Sequence, residues 1–464
     1  MTSERTPFRG KRLLILGFGS IAATVLPLLF RHIAIRPDQV LVISEDVRYA
    51  AICERMGVTH RTGKLRPDSF AVLLDGLVEP GDCILNLTGG VSARDLVRFS
   101  LARGIDYLDT SNERWEHGAV NHDSADYAEQ WSLLMAERDK LPKSATALVS
   151  HGANPGLVSH FAKQAIQDLA MAKSVVVPTL SDDRYWARLA SRLRVEALHI
   201  SERDTQKPNF EPDPREFLNT WSVEGMEEEC NTNPCFAWGS HEATVDAAHI
   251  RRDPVAVVGL LPGRAKDCGV RSWLPSVGEF RGAVIPHEET FSIAELFTLD
   301  EMAIGPRYQP TVLFAYRPCD AALQALHNPS AGRRATRVLI DEIASGVDEL
   351  GVLVLRRGTR AVYWYGSILD IDTARRLAPF ANATSLQVAA GVLGGLAWLL
   401  ETPQQGLVAA EDADHKRVLD VARPYLGRFG GVNGTWPSAP ERWLMRDLLR
   451  PVSFGKESGI RSTP

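Results

Sequence analysis

Short apolar runs alternate with segments of helical spacing between residue 11 and about residue 150. Alternation of this kind is typical of βαβ units, in which successive strands build a parallel sheet. The predicted strands are 12–17, 39–44, 82–88, 105–108 and 146–151. Ligands bind such sheets at the carboxyl ends of the strands, so the loops that leave those ends are the first candidates for a binding site.

The first of these loops has the pattern Gly-x-Gly-x-x-Ala. Gly17 and Gly19 flank a single residue, and a helical segment begins near Ser20. Gly17 permits a sharp turn, and Gly19 lets the backbone approach a pyrophosphate. The free N–H groups at the start of the helix, at Ser20 and Ile21, would face the phosphates. The pattern therefore predicts a dinucleotide cofactor.

Two acidic residues, Glu45 and Asp46, end the second predicted strand. A carboxylate at this point would bind the ribose hydroxyls and repel a 2′-phosphate, which favours NAD over NADP. The alternative is a pair of solvated loop charges. Later loops at the same edge of the sheet place Thr88, Asp109 and Thr110 beside the predicted cofactor.

The pattern changes after about residue 150. Trp, Pro and Gly become frequent, and the strand-like runs there predict an α+β domain with an antiparallel sheet. A helical segment from about Ser385 to Leu426 is expected to return to the first domain, and the tail after Tyr425 is expected to be irregular. The predicted architecture is α/β: a Rossmann-like parallel sheet domain with an inserted α+β domain, divided as 1–150, 151–384 and 385–464.

Two uncharged runs also raise the possibility of a membrane segment. The run Leu13–Phe30 follows basic residues and has the length of a signal peptide or a short span. Gly17, Gly19 and Pro27 interrupt it where a βα unit would, which favours the sheet. The run Ser385–Leu400 is short and contains glycines, which favours a buried helix.

Composition and charge exclude several classes of partner. The 464 residues are 45% hydrophobic and 23% charged, as in a soluble globular protein. The net charge of -5 argues against nucleic acid as the main ligand. The six cysteines form no CxxC pair and no Cys/His cluster, which indicates a reduced, cytoplasmic protein without a zinc site. We expect no nucleic acid, no membrane and no metal.

Polar residues follow two of the apolar runs in the second region. Asn154 lies in a turn before a helix that starts near Pro155, and its amide would accept a hydrogen bond from an amine; a helix cap is the alternative. Glu202 belongs to a charged cluster and would hold an ammonium group or act as a base. A plain ion pair with the adjacent Arg203 is the alternative.

An indole and four carboxylates lie close together at Trp221, Glu224 and 227–229. An indole face attracts a cation, and a nearby carboxylate adds Coulomb energy, so the combination suits a diamine. The alternative is a buried tryptophan beside a solvated acidic helix. His287 precedes two glutamates and would shuttle protons near neutral pH, unless the segment is a surface turn.

Several longer segments resemble the bacterial homospermidine synthases and follow one another in that family's order over about residues 11–428. They are GFGSIA, SHGANPGLVSHF, ISERDTQ, NTWSVEG, AWGSHE, YRPCD, VDELGVL, YWYGS and TSLQVAAGVL. The resemblance implies a Rossmann domain with an inserted domain for substrate binding and dimerisation, hence a homodimer. The wider family includes saccharopine dehydrogenase and carboxynorspermidine dehydrogenase.

The resemblance also implies a reaction. Putrescine would be oxidised by tightly held NAD⁺ to an imine, and water would release ammonia and 4-aminobutanal. A second putrescine would form a Schiff base with the aldehyde, and NADH would reduce it to sym-homospermidine. The cofactor is regenerated, so the enzyme would be a transferase of diamine and polyamine substrates.

The resemblance assigns roles residue by residue. Trp221 matches the family's tryptophan that stabilises the cationic intermediate, and Glu229 is the carboxylate expected beside it. Asn154, Glu202 and His287 match the inner amine site, where one end of the diamine is deprotonated and held.

The outer amine site is matched less completely. Glu113 matches one of its members, and Asp348 or Glu349 is expected to be another. The family typically has an acidic residue in the loop after the fourth strand, but the loop 86–92 holds no carboxylate. We therefore expect weaker binding of the distal amine or a changed substrate.

Two other functions compete with this one. A net oxidoreductase of the same fold would reduce a Schiff base, and it would need a cationic pocket for an α-carboxylate, for which Arg192, Arg194 and Arg203 are candidates. A dinucleotide sensor without catalysis would explain the glycine pattern but not the tryptophan and the acidic residues. Stoichiometric accumulation of NADH would separate the oxidoreductase from the transferase.

Overall fold

The computed structural model describes eight stretches of the chain, residues 5–115, 127–175, 184–213, 215–242, 249–253, 256–299, 307–327 and 335–451. Its two largest sheets are a parallel sheet of seven strands and a mixed sheet of eleven.

The strands, in chain order, are β1 (Thr6–Pro7), β2 (Leu13–Leu16), β3 (Ile33–Ala34), β4 (Val40–Ser44), β5 (Thr59–Thr62), β6 (Cys83–Asn86), β7 (Asp106–Asp109), β8 (Thr146–Val149), β9 (Val195–Asp204), β10 (Lys207–Pro208), β11 (Glu216–Asn219), β12 (Cys235–Ala237), β13 (His249–Arg252), β14 (Val257–Leu260), β15 (Cys268–Leu274), β16 (Gly278–Ile285), β17 (Thr311–Arg317), β18 (Ala335–Val338), β19 (Ile343–Ser345), β20 (Val347–Arg356), β21 (Ala361–Asp370), β22 (Gly406–Ala409), β23 (Arg428–Thr435) and β24 (Leu449–Pro451).

The α-helices, in chain order, are α1 (Ser20–His32), α2 (Ala50–Arg55), α3 (Phe70–Asp75), α4 (Ala93–Arg103), α5 (Tyr127–Met135), α6 (Leu157–Ala172), α7 (Tyr185–Arg192), α8 (Val223–Asn231), α9 (Glu289–Leu296), α10 (Asp320–His327), α11 (Ile371–Leu377), α12 (Ala383–Glu401), α13 (His415–Ala422) and α14 (Met445–Leu448).

The parallel sheet has the strand order β22-β8-β7-β6-β2-β4-β5. Strands β2, β4, β6 and β8 are buried along their whole length, as expected for a sheet covered by helices on both faces. The five predicted strands of this region are confirmed to within about two residues at each end. Sequence patterning missed β5, because Thr59–Thr62 is polar and lies at the edge of the sheet.

The mixed sheet runs β13-β14-β12-β17-β9-β20-β21-β23, with β15, β16 and β24 attached beside β17. Its centre is the parallel pair β17–β9 and the antiparallel pair β9–β20. The side chains of Glu202 and Asp204 share one face of β9, since residues two apart on a strand point the same way.

The prediction of an irregular tail after Tyr425 is wrong for residues 428–435 and 445–451, and residues 452–464 lie outside the described part of the chain. Arg428–Thr435 is strand β23, paired with β21. The glycines of this segment are typical of a loop. In the structure, aromatic rings occupy the space beside two of them, since a Cβ at Gly431 would overlap Tyr363 and a Cβ at Gly434 would overlap Trp273.

The segment 385–426 is helical only in part. Helices α12 and α13 are separated by β22, which pairs with β8 and adds the last strand to the parallel sheet. By length and composition α12 would be long enough to cross a membrane, but 89% of its apolar window is buried inside the protein. It packs mainly against α1 and α13 and is a core helix.

Candidate active site

The turn after β2 forms a cradle made of backbone. Gly17 has φ +81°, and a Cβ there would lie 2.7 Å from the carbonyl oxygen of Leu87, so only glycine fits. Among the described residues, no atom lies within 4 Å of the position that a Cβ would take at Gly19. Helix α1 begins at Ser20 without a side-chain cap, which leaves its N–H groups available to an anion. This open, glycine-lined helix start fits the pyrophosphate of a dinucleotide.

The other predicted cofactor residues lie around the same edge. Ile21, Thr88 and Thr110 are half-buried. Glu45 is exposed and pairs with Lys64 at 3.2 Å. The Asp46 carboxylate accepts hydrogen bonds from the Arg48 guanidinium, which lowers its pKa.

Asp109 ends β7 and is buried. Its carboxylate accepts hydrogen bonds from the Tyr107 hydroxyl at 2.8 Å and from the Ser150 N–H at 2.6 Å. Burial raises the pKa of Asp109 to about 7. Its oxygens therefore hold the ends of β7 and β8 together, and contact with a cofactor stays a prediction.

Asn154 and Glu202 meet although 48 residues separate them in sequence. Asn154 follows β8, and its side chain is hydrogen-bonded to the Glu202 carboxylate on β9. The cap of helix α6 is Gly156, so the helix-cap alternative for Asn154 is wrong. Burial and the negative charge of Asp204 raise the pKa of Glu202.

Strand alternation decides which neighbouring charges join Glu202. Arg203 points to the opposite face of β9, so the adjacent ion-pair alternative is wrong. On β20, Asp348 pairs in register with Asp204 and shares its face, and it accepts a hydrogen bond from Thr384. Glu349 lies on the other face, bonded to Ser276, and the structure does not bring it to this site.

His287 lies buried between two glutamates. Its Nδ1 contacts Glu289, and its Nε2 lies 3.5 Å from Glu229 on α8. These carboxylates hold the pKa of His287 well above its usual value despite burial. The ring also stacks on Tyr127, with centroids 6.5 Å apart. The surface-turn alternative is wrong, since His287 is 7% exposed.

His287, Glu288 and Glu289 offer three possible metal ligands within 4.8 Å of one another. Both ring nitrogens of His287 already face carboxylate oxygens, so the imidazolium explains the arrangement without an ion. The expectation that the protein uses no metal stays a prediction.

Trp221 lies between β11 and α8 and is half-buried. Its indole N–H donates a 3.1 Å hydrogen bond to the hydroxyl of Tyr316 on β17. The α8 residue Glu229, with its His287 contact, faces the same region, whereas Glu224 is exposed. The acidic helix is therefore solvated on one side and joins the site on the other.

Glu113 follows β7 and accepts hydrogen bonds from the Gly90 N–H at 3.4 Å and the Ser111 hydroxyl at 3.3 Å. Burial and the charges of Glu228 and Glu288 raise the pKa of Glu113 to about 7. Glu288 joins the two sheets, since it accepts hydrogen bonds from the Asn112 N–H and the Ser150 hydroxyl.

We call this set the acidic cluster: Glu113, Glu202, Asp204, Glu229, Glu288, Glu289 and Asp348, together with His287. Raised pKa values indicate that six of these carboxylates lie in surroundings that disfavour negative charge, those of Glu113, Glu202, Asp204, Glu229, Glu289 and Asp348. A cation bound among them would relieve that cost, so the cluster fits an ammonium or iminium ligand. The sequence alone predicts no role for Glu288, Glu289, Asp204, Tyr127 or Tyr316, although Tyr316 lies in the segment YRPCD.

Comparisons with known proteins agree along nearly the whole chain. The saccharopine dehydrogenase NADP binding domain matches residues 13–147, and the saccharopine dehydrogenase C-terminal domain matches residues 152–434. The homospermidine synthase of Blastochloris viridis is 38% identical over 91% of both chains, and that of Mesorhizobium japonicum is 34% identical over 95% of both. The crystal structure of the Legionella pneumophila homospermidine synthase in complex with NAD superposes with a TM-score of 0.88 at 31% identity, covering 97% of this chain and 100% of that one.

Proposed function

Since the chain belongs to the homospermidine synthase family, built from saccharopine dehydrogenase domains, we propose that it converts two putrescine molecules to sym-homospermidine and ammonia. When bound, NAD would accept a hydride from an amine-bearing carbon and return it to a secondary imine, so no net redox change occurs. The glycine-lined cradle at Gly17 and Gly19 supports binding of that cofactor.

The observation that carries the proposal is the contact between Asn154 and Glu202 beside His287. An amine can lose a hydride only after its ammonium form has lost a proton. Glu202, with its raised pKa, would accept that proton, and Asn154 would hold the neutral amine. His287 would tune the charge of the site through Glu229 and Glu289.

Trp221 and Glu229 would stabilise the iminium that follows. An aromatic face and a carboxylate both favour a cation over a neutral amine, so their interaction strengthens as the positive charge forms at carbon. Glu113 and Asp348 would hold the distal ammonium group. Glu349 is not included, because it lies on the opposite face of the sheet.

The loop 86–92 lacks the carboxylate that the family typically has, but the structure offers a nearby substitute. Glu228 on α8 is close enough to Glu113 to raise its pKa. We propose that Glu228 supplies part of the missing charge and keeps the distal amine bound.

Incubation of the purified protein with putrescine and catalytic NAD⁺, followed by mass analysis, tests the proposal. We expect homospermidine and ammonia without accumulation of NADH. One NADH per product would instead identify a net oxidoreductase. The opposite orientation of Arg203 already weakens that alternative, since it keeps this arginine away from Glu202.

We also propose that the protein is a cytoplasmic homodimer acting on polyamines, with the domain limits 1–150, 151–384 and 385–464. The six cysteines all have free thiols, which supports a reducing compartment. Light scattering at several protein concentrations would test the dimer.

A further inference from the structure

A small cavity lies beside Glu289, the glutamate that contacts Nδ1 of His287. Side chains of α5, α6 and α9 line it together with the segment 410–411. The lining includes three carboxylates and three hydroxyls, those of Glu288, Glu289, Glu411, Ser150, Ser159 and Ser292. Its free volume suffices for about one water molecule.

Two polar atoms of the lining have no hydrogen-bond partner among the described residues. They are Oε1 of Glu289 and the indole Nε1 of Trp131, and both residues are 2% exposed. One accepts and the other donates, which is the pair of contacts that a buried water molecule needs.

Each end of the cavity meets a carboxylate that is held in place. Glu289 contacts Nδ1 of His287 through its other oxygen. Oε1 of Glu411 accepts hydrogen bonds from Ser159 at 2.5 Å and from Ser292 at 2.8 Å. A continuous path thus runs from His287 through Glu289 and the cavity to Glu411.

The proposed reaction creates a need for such a path. In its first half, a substrate ammonium loses one proton, hydride leaves to NAD⁺, and water turns the iminium into aldehyde and ammonium. In its second half, the aldehyde condenses with the ammonium group of the second putrescine to an iminium and water. Hydride then returns to the iminium, and the resulting amine takes up one proton. The first half therefore releases the proton that the second half consumes.

We propose that Glu289, the cavity and Glu411 form a proton relay that holds this proton inside the protein between the two half-reactions. Glu202 passes the proton that it takes from the substrate ammonium to Nε2 of His287, and Nδ1 of His287 gives its proton to Glu289. Glu289 passes the proton through a water molecule in the cavity to Glu411. The inference rests on the proposed function.

The charges around both carboxylates fit this role. Glu411 faces Glu288 and Glu289 across the cavity, and Asp412 follows it in sequence. The ammonium group of Lys163 donates to the Glu411 carbonyl oxygen rather than to its carboxylate. Burial raises the pKa values of Glu289 and Glu411, so each carboxylate binds a proton more readily than an exposed glutamate does.

Proton counting on the full-length enzyme tests the relay. Enzyme with bound NAD⁺ is mixed with putrescine below the concentration of active sites, so that no second putrescine is present and the first half-reaction stops at NADH. An indicator dye in weak buffer reports the protons released. We expect Glu411→Gln to release about one proton more per NADH than the wild type. Glu295 lies on α9 but does not line the cavity, so Glu295→Gln should release the same number of protons per NADH as the wild type.

Infrared difference spectroscopy on the wild type gives a readout that needs no variant. We expect a protonated-carboxyl band to appear as NADH forms and to move in Ser292→Ala, which removes one donor to Glu411. Equal proton release from the wild type and Glu411→Gln, or no carboxyl band, would overturn the relay. Failure of the wild type to form NADH or homospermidine from putrescine would instead overturn the proposed function and, with it, the source of the proton.

Discussion

The carboxyl edge of the parallel sheet and the acidic cluster are built from different parts of the chain. At the sheet edge, Gly17 and Gly19 expose backbone and helix N–H groups within a few residues of one another. In the acidic cluster, side chains converge from β9, β20, α8, α9 and the loops after β7 and β16. Recognition by backbone is local in sequence, whereas recognition by buried charge depends on the whole tertiary structure.

The largest expected effect concerns the acidic cluster. Glu202→Gln keeps the volume of the side chain but removes the proton acceptor, so we expect turnover to fall by a factor on the order of 10² or more. Steady-state kinetics with putrescine would measure it. Glu196→Gln is the matched control, because Glu196 is a buried glutamate at the far end of β9 that pairs with Arg442. That variant should lose stability but keep its turnover, and equal losses of activity would contradict the assignment.

Trp221 should matter through its ring rather than through packing alone. Trp221→Ala is expected to lower turnover by about 30-fold, the upper range of a desolvated cation–π contact. Trp221→Phe keeps an aromatic face and should recover part of that loss. If the two variants have the same turnover, the aromatic face is not what stabilises the intermediate.

At the edge of the parallel sheet, Gly19→Val places a side chain in the open cradle formed by the turn after β2. We expect NAD⁺ affinity to fall about tenfold, measured by calorimetry without polyamine, while the melting temperature changes little. Gly76→Ala serves as the control, since the Cβ at this position would make an ordinary van der Waals contact, 3.7 Å from the Leu73 carbonyl oxygen. Unchanged NAD⁺ affinity in Gly19→Val would place the cofactor elsewhere.

The smallest effect is a difference in pH dependence between a site carboxylate and a structural one. Folding raises the pKa of Glu113 to about 7, so its contribution to stability declines as pH rises from about 4.5 to 7. Glu113→Gln should therefore raise the melting temperature more at pH 7.5 than at pH 5.

Glu279 should behave in the opposite way. Hydrogen bonds from Arg271, Ser438 and Trp436 lower its pKa to about 2, so the stability it contributes is present above pH 4.5 and is lost as pH falls toward 2. Glu279→Gln should lower the melting temperature at pH 7 and have less effect at pH 3. Melting curves that shift alike for both variants would contradict the contrast.

The contrast between local backbone features and side chains distant in sequence also explains which features could be predicted from the sequence. The parallel strands and the glycine turn follow from local periodicity, and they were predicted from residues alone. Asn154, Glu202, Trp221 and His287 came together only through the family resemblance, because each had an ordinary explanation in its own segment. The sequence does not show which of Asp348 and Glu349 faces the site. That choice depends on which face of β20 each side chain occupies, and the faces are known only once β20 is seen to pair with β9.

One helix fixes the spacing of the site. Asn382, the cap of α12, donates one hydrogen bond to the carbonyl of Thr220, the residue before Trp221. Two turns further on, Gly391 packs so closely on Gly152, two residues before Asn154, that a Cβ would overlap its carbonyl. The distance between the indole of Trp221 and the amide of Asn154 is therefore set by the length of one helix, α12. A redesign that accepts longer amines would have to lengthen or reposition α12, since changes confined to the loops leave the length of this helix unchanged.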